Sequence, residues 1–168
     1  MKQFAITLFF GIFFYAGVSA QKKALDHSVY DNWQRVGDRL VSQDGNWVSY
    51  VIEVQEGDPT LVIRSLTSEQ EIIYPRGAAP QLSATGRFLV FRIKPSYTSI
   101  REARIKKKKP EDFPKDSLCI FELGVGERKR IPQVRSFKMP TAIEGLLAIH
   151  LETTDKDKRI LNQHLRCY

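Results

Sequence analysis

Two stretches of the chain repeat each other at a fixed spacing of 41 residues. Residues 42–50 read S-Q-D-G-N-W-V-S-Y, and residues 83–91 read S-A-T-G-R-F-L-V-F. A repeat of about 40–45 residues that holds four short strands is typical of one blade of a β-propeller. The chain is therefore organised around blades, and the matched positions are Ser42 with Ser83, Gly45 with Gly86, Trp47 with Phe88, and Tyr50 with Phe91.

The segments around this repeat divide into short apolar strands separated by turn residues. We predict an all-β fold, a partial β-propeller with about two full four-stranded blades plus part of a third. Blade 1 covers 38–77, blade 2 covers 78–132 with a polar insert at 95–116, and an incomplete blade 3 covers 133–168. The predicted strands are 38–42, 46–54, 60–65 and 71–74 in blade 1, 80–84, 87–94, 117–123 and 128–131 in blade 2, and 134–139, 145–151 and 159–165 in blade 3.

The second strand of blade 1 is apolar at nearly every position from Trp47 to Val54. Such a strand must be covered on both faces, and stacked neighbouring blades supply that cover. A ring needs about four to eight blades. We therefore expect an exposed blade face, completed either by further sequence of a longer protein or by a partner.

The N-terminus predicts export. Residues 1–20 combine a basic Lys2, an apolar core at 4–15 and small residues before Gln21, which is the pattern of a cleaved secretory signal peptide. The alternative is an uncleaved anchor, for which the apolar run is short. We expect a periplasmic, cell-surface or secreted protein without a stable membrane anchor after cleavage. Residues 21–37 read as a leader and a short helix over His27–Val36, which caps the first blade or docks another domain.

The formal charge is +7, and part of it lies in the insert, where Arg101–Lys109 holds six cations. Clustered Lys and Arg suit nucleic acid or another anionic surface. No aromatic residue is interleaved to stack on bases, and acidic residues follow at once. We predict no nucleic-acid partner, and interpret the run as a solvated loop with one helical turn begun by Thr98 or Ser99, or as a contact to a neighbouring domain.

Two cysteines allow at most one disulfide. Cys119 lies in an apolar strand pattern and is predicted to be a buried free thiol. Pairing with Cys167, near the end of the chain, is the alternative.

Catalytic motifs are absent from the sequence. The nearest approach to G-x-S-x-G is residues 17–21, inside the signal segment. None of His27, His150 and His164 stands at metal-ligand spacing, and no phosphate-binding or dinucleotide-binding glycine motif occurs. We predict no catalytic, cofactor-binding or metal-binding residues and no cofactor, so the chain alone is predicted to be inactive.

Four segments carry a family resemblance. Leu25–Trp33, Ser42–Tyr50, Arg101–Asp112 and Pro114–Leu118 together resemble the N-terminal region of exported prolyl oligopeptidase-family (S9) serine peptidases of Bacteroidetes type. The resemblance covers residues 22–152. It implies a propeller that restricts peptide access to a Ser-Asp-His site in a C-terminal α/β-hydrolase domain, which is missing here.

The sequence departs from the family's pattern in blade 3. Leu146 and Ile149 stand where Trp and Tyr are frequent, and the chain ends before further blades. The leading hypothesis is the N-terminal propeller fragment of a secreted S9 (prolyl oligopeptidase or dipeptidyl peptidase-like) serine peptidase, gating peptide substrates. The alternative is a non-enzymatic secreted propeller-repeat binding module, completed by self-association or a partner.

Overall fold

The computed structural model describes residues 30, 33–140, 143 and 145–152. These residues form two antiparallel sheets, which we call sheet A and sheet B. Sheet A follows chain order as β1 (Gln34–Val41), β2 (Trp47–Val54), β3 (Thr60–Ser65) and β4 (Glu71–Pro75). Sheet B contains β5 (Gly77–Leu82), β6 (Phe88–Ile93), β7 (Asp116–Glu122), β8 (Gly126–Lys138) and β9 (Ala148–Leu151), with helix α1 (Tyr97–Ile105) and a 3₁₀ turn (Pro110–Asp112) between β6 and β7.

The prediction of an all-β chain built from four-stranded antiparallel units is confirmed. Consecutive strands pair with each other in both sheets, as in a propeller blade. The two sheets do not close into a ring.

The sequence repeat is also a repeat of hydrogen bonds. The N–H of Gly45 donates to the carbonyl of Ser42 at 2.9 Å, and the N–H of Gly86 donates to that of Ser83 at 2.9 Å. Both glycines have positive φ, 70° and 75°, which explains why glycine recurs there. Each serine hydroxyl then accepts the N–H that opens the next strand, from Trp47 at 2.9 Å and from Phe88 at 3.0 Å.

The described part of the chain contains three repeated units: sheet A, then β5 to the first half of β8, then the second half of β8 with β9. A one-residue bulge recurs in the first strand of each unit. The pairing shifts between Val36 and Arg39 in β1, between Ala78 and Gln81 in β5, and between Val134 and Ser136 in β8. Bulges of this kind increase the local twist of a strand. The three units therefore share a backbone irregularity that their side chains do not reveal.

The main core lies between the two sheets. Sheet A contributes Val51, Leu61 and Ile63, and sheet B covers them with Leu89, Phe91, Ile93, Cys119 and Phe121. The first strand of sheet B comes very close, since a Cβ on Gly77 would lie 2.5 Å from the Cβ of Leu61. Glycine at the start of β5 is what allows the sheets to meet there.

Strand β8 links the second and third units. Its first half pairs with β7, and its second half pairs with β9. The bend falls at Gln133, with φ of 56°, and the matching residue at the junction of the first two units is Arg76, with φ of 65°. Their carbonyls accept equivalent bonds, from the N–H of Glu152 at 2.7 Å and of Lys94 at 2.9 Å.

The strands predicted separately at 128–131 and 134–139 form one continuous strand, β8. Both helix predictions are also wrong in their bounds. The helix proposed over His27–Val36 does not extend through its last residues, because Gln34–Val36 belong to β1 and pair with β2. The insert holds a full helix rather than one turn. It begins earlier than predicted, because the hydroxyl of Ser96, not Thr98 or Ser99, accepts the N–H of Ser99 and caps it.

Several predicted features lie outside the described residues. These are the signal peptide at 1–20, most of the 21–37 leader, His27, His164, Cys167 and the strand at 159–165.

Candidate functional site

In the part of the chain that the structure describes, no three His, Cys, Asp or Glu side chains converge as a metal site would require. His150 is exposed on β9. A search of the same residues for a helix long and apolar enough to cross a bilayer finds none.

One side of sheet A exposes several apolar side chains, and we call this side the open face. It consists of Val36, Val41, Val48, Tyr50, Ile52, Val62 and Ile73 with the charged Arg39, Arg64 and Glu71, which the strand pairing places on one side. Val36, Val41 and Ile73 are 55%, 61% and 58% exposed. Apolar residues on the covered side of sheet A, such as Leu61 and Ile63, are fully buried.

The open face corresponds to the side of sheet B that packs on sheet A. The repeat sets Val48, Tyr50 and Ile52 at the positions of Leu89, Phe91 and Ile93, which are at most 8% exposed. The first three are only half-buried. In the third unit, pairing with β8 places Leu147 and Ile149 at the first two of these positions, and both are buried.

One position changes character between the two sheets. Arg64 pairs with Val48 in sheet A, and Phe121 pairs with Leu89 at the matching place in sheet B. Phe121 is buried in the core, whereas Arg64 is exposed and lies 3.8 Å from Glu71. The open face is thus an apolar stripe with an ion pair at one end.

A cleft of about 560 Å³ lies at the end of sheet A where β1 begins. The residues that line it include Trp33, Lys94, and the ion pair of Arg35 with Glu53, whose Nε and Oε2 are 2.7 Å apart. The ring of Trp33 also packs edge-on against Tyr30 at 4.9 Å. The cleft has an aromatic wall and charges of both signs, but no nucleophile paired with a base.

A buried carboxylate anchors the turn between β7 and β8. Glu122 is 5% exposed and accepts hydrogen bonds from the Nε of Arg128 and from the Nε of Arg87, the latter at 2.9 Å. The hydrogen bond from Arg128 and then that from Arg87 hold the pKa of Glu122 below its ordinary value. This cluster serves structure, since both partners keep the carboxylate ionised.

A second polar cluster joins the two sheets at their outer edge. The hydroxyl of Tyr74 in β4 donates to Glu127 in β8 at 3.3 Å, and Arg130 donates to the same carboxylate oxygen at 2.9 Å. Burial raises the pKa of Tyr74 to about 12. The ring of Tyr74 packs edge-on against Phe91 at 4.8 Å, so this tyrosine ties sheet A to sheet B.

Cys119 is a free thiol with no exposed surface, as predicted. Burial raises its pKa to about 12, which leaves almost no thiolate at neutral pH. Cys119 is therefore a core residue and not a nucleophile.

The basic insert is docked on sheet A. The hydroxyl of Tyr97 donates to Glu56 at 3.0 Å, and its backbone N–H donates to Asp58 at 2.6 Å. On the returning limb, Lys115 donates to Glu152 at 2.6 Å. Ala103, within helix α1, is buried. The cations are therefore displayed from a fixed support.

Comparison with known proteins gives similarity of structure only. No protein-family model and no curated protein matches the chain. The chain is similar to acylaminoacyl peptidase of Pyrococcus horikoshii, with a TM-score of 0.49 and 15% identity over 74% of this chain and 18% of that one. It is also similar to the β-propeller domain of the Trilobed protease of Pyrococcus furiosus, described as having an open velcro topology, with a TM-score of 0.44 and 17% identity over 70% of this chain and 34% of that one.

Proposed function

We propose that this chain supplies the first blades of a propeller in an exported S9-type serine peptidase, where the propeller controls peptide access to a hydrolase domain. The peptidase assignment is supported by the sequence resemblance of four segments, Arg101–Asp112 among them. The observation that carries the role within a larger propeller is the open face. The corresponding positions of the second and third units are buried by the preceding unit, whereas in sheet A most of the open face is half-buried or exposed, Val62 being buried at 3%.

The chemistry of the proposed enzyme would come from residues outside this chain. Cys119, the one thiol among the described residues, is buried with a raised pKa and is therefore not an activated nucleophile. The role of sheets A and B in this proposal is therefore to bind the rest of the enzyme and to exclude folded proteins from its active site. A wall of stacked blades admits short extended peptides and keeps folded proteins away from a nucleophile.

The first experiment is to sequence the locus and its transcript beyond codon 168. The proposal expects further blades and a G-x-S-x-G segment followed by Asp and His, in the same frame or one base away. A stop followed by an unrelated gene would contradict it. The chain would then be a non-enzymatic propeller-repeat module whose open face binds a partner.

A biochemical test follows from the open face. When this chain is mixed with the remaining blades and hydrolase domain, Ile73→Lys should weaken their association, because it places a charge in an apolar contact. Ser68→Lys adds the same charge on an exposed turn of sheet A and serves as the matched control. Equal behaviour of the two variants would remove the open face from the proposal.

Export is a separate part of the proposal and rests on residues 1–20. Mass spectrometry of the protein recovered from the periplasm or medium should find an N-terminus at Gln21. A protein that stays inside the cell with Met1 or Lys2 intact would overturn export while leaving the propeller role untouched.

A further inference from the structure

We propose that the basic insert of the second unit binds reversibly to the surface of an anionic lipid membrane. The first observation is its charge. Between Ile100 and Asp112 the chain holds six cations and three carboxylates. Among the described residues, Lys106 lies 3.4 Å from Glu102 and Lys109 lies 3.9 Å from Glu111.

The remaining four cations are Arg101, Arg104, Lys107 and Lys108. All are exposed, and none forms an ion pair within the described part of the chain. They are therefore free to meet an external anion.

The second observation is how α1 is oriented. Ile100 and Ala103 face the body of the protein, and Ala103 is 2% exposed. Positions 101, 104 and 105 follow the spacing of one helical face and point away from it, and Lys108 comes just after the end of the helix. This outward face consists of Arg101, Arg104 and Ile105, whose side chain is 71% exposed. Cations around one exposed apolar side chain suit a membrane interface, where charge attracts and the apolar group inserts.

The third observation is the end of the helix. The N–H of Lys108 donates to the carbonyl of Ala103 at 3.0 Å, and the N–H of Lys107 donates to that of Arg104 at 3.0 Å. This is the Schellman pattern, in which glycine is preferred at the residue with positive φ. Here that residue is Lys107, with φ of 47°. A cation thus stands where glycine would be less strained.

The character of these groups favours lipid over the other anionic partners. Lysines are flexible point charges that need no fixed geometry, which suits a fluid layer of headgroups. Nucleic acid is disfavoured because no aromatic residue lies among the cations of Arg101–Lys109, and the nearby ring of Tyr97 is held against sheet A by its bond to Glu56. An acidic protein would require a larger complementary surface than one short helix face presents.

The test is sedimentation of the chain from Gln21, which keeps every described residue, with vesicles of known composition. We expect binding to phosphatidylcholine vesicles that contain about a third phosphatidylglycerol, and none to pure phosphatidylcholine. Binding should fall steeply as salt rises, because a Debye length of about 8 Å at physiological ionic strength shortens to about 3 Å at 1 M.

Variants locate the surface. Replacing Arg101, Arg104 and Lys108 by Gln should weaken binding about 100-fold, at roughly fivefold per charge. The matched control replaces the exposed Arg39, Arg135 and Lys138 by Gln, which removes the same charge elsewhere and should leave binding nearly unchanged. Ile105→Ser should weaken binding about fivefold or more through loss of apolar insertion.

Lys107→Gly separates charge from folding, since it should weaken binding about fivefold while raising thermal stability. Three results would overturn the proposal: no binding to anionic vesicles, equal binding to neutral ones, or equal weakening by the control triple. The inference does not depend on peptidase activity, so its failure leaves the proposed function intact.

Discussion

The two sheets are built on the same repeat, and they differ in what covers them. Phe91 in sheet B and Tyr50 in sheet A occupy matching positions in matching strands. Phe91 is fully buried against sheet A, whereas Tyr50 is half-buried on the open face. The same backbone therefore carries a core residue in one unit and a surface residue in the other. The difference shows that burial in stacked sheets is set by the neighbour and not by the strand.

The polar groups show the same contrast. Ser65 and Glu122 end the third strands of their sheets, opposite Trp47 and Phe88, and both are buried. The hydroxyl of Ser65 accepts the N–H of Ser68 at 3.1 Å. Sheet A thus closes its turn with a neutral group, while sheet B uses a carboxylate and two arginines.

The largest expected effect comes from truncating the paired aromatic positions. Phe91→Ala should lower the free energy of unfolding by about 3–5 kcal/mol, because it leaves a cavity between the sheets. Tyr50→Ala at the matching position should cost about 1 kcal/mol, because its side chain is half-exposed. Urea unfolding measures both. Equal losses would mean that the open face is covered in solution.

Acid should weaken sheet B through Glu122. The hydrogen bond from Arg128 holds the pKa of Glu122 below its ordinary value, so its stabilising contribution is present above about pH 4.5 and is lost as the pH falls through the lowered pKa. Glu122→Gln should flatten the fall in stability in that window. We expect a smaller loss at pH 7 than from Phe91→Ala, since both arginines are half-exposed and can turn to water.

Thermal unfolding of the wild type and Glu122→Gln at several pH values gives this comparison. An unchanged acid profile in the variant would assign the acid sensitivity to other carboxylates. Ser65→Ala, in the uncharged counterpart, should leave the pH dependence as in the wild type.

Replacing the two turn serines, Ser42 and Ser83, should give stability losses that differ from each other by less than those of Phe91→Ala and Tyr50→Ala. Ser83→Ala removes the acceptor of the Phe88 N–H and should cost about 1 kcal/mol. Ser42→Ala removes the matching bond to Trp47 and also the bond from Ser42 to Asp44, which lowers the pKa of that carboxyl. Because the bond to Asp44 is made to a carboxylate, which strengthens it, we expect Ser42→Ala to cost more stability than Ser83→Ala. Chemical denaturation of both variants measures these stability losses. A larger loss for Ser83→Ala than for Ser42→Ala would contradict the expected ranking.

The smallest expected effect comes from giving one position of sheet B the residue found at the matching position of sheet A. Cys119 matches Val62, and Cys119→Val should change stability by less than about 1 kcal/mol, because it replaces one small apolar side chain by another. The native thiol should stay unreactive toward a disulfide reagent at pH 8 and react only on unfolding, since burial raises its pKa to about 12. Rapid reaction of Cys119 in the native state would show that the sheets separate.

The sequence by itself determined the repeat and the architecture that follows from it. Ser42 and Gly45 recur 41 residues later, and Phe88 matches Trp47, because a tight turn with positive φ needs glycine and because a strand between sheets must be apolar. These are local requirements, and a single chain displays them. The buried free thiol of Cys119 was predictable for the same reason, since its neighbours in β7 are apolar.

The tertiary structure alone decided which faces are covered and which polar groups meet. Nothing near Tyr97 in sequence indicates that its hydroxyl donates to Glu56. Gln34–Val36 are part of β1 because they pair with the edge of β2. Glu122 met Arg87 across 35 residues. Such contacts depend on how the sheets stack and where the loops lead the chain. They join residues far apart in sequence, so local sequence patterns do not predict them. The open face is a property of the same kind, because its exposure depends on the absence of a covering sheet among the described residues and not on its own strands.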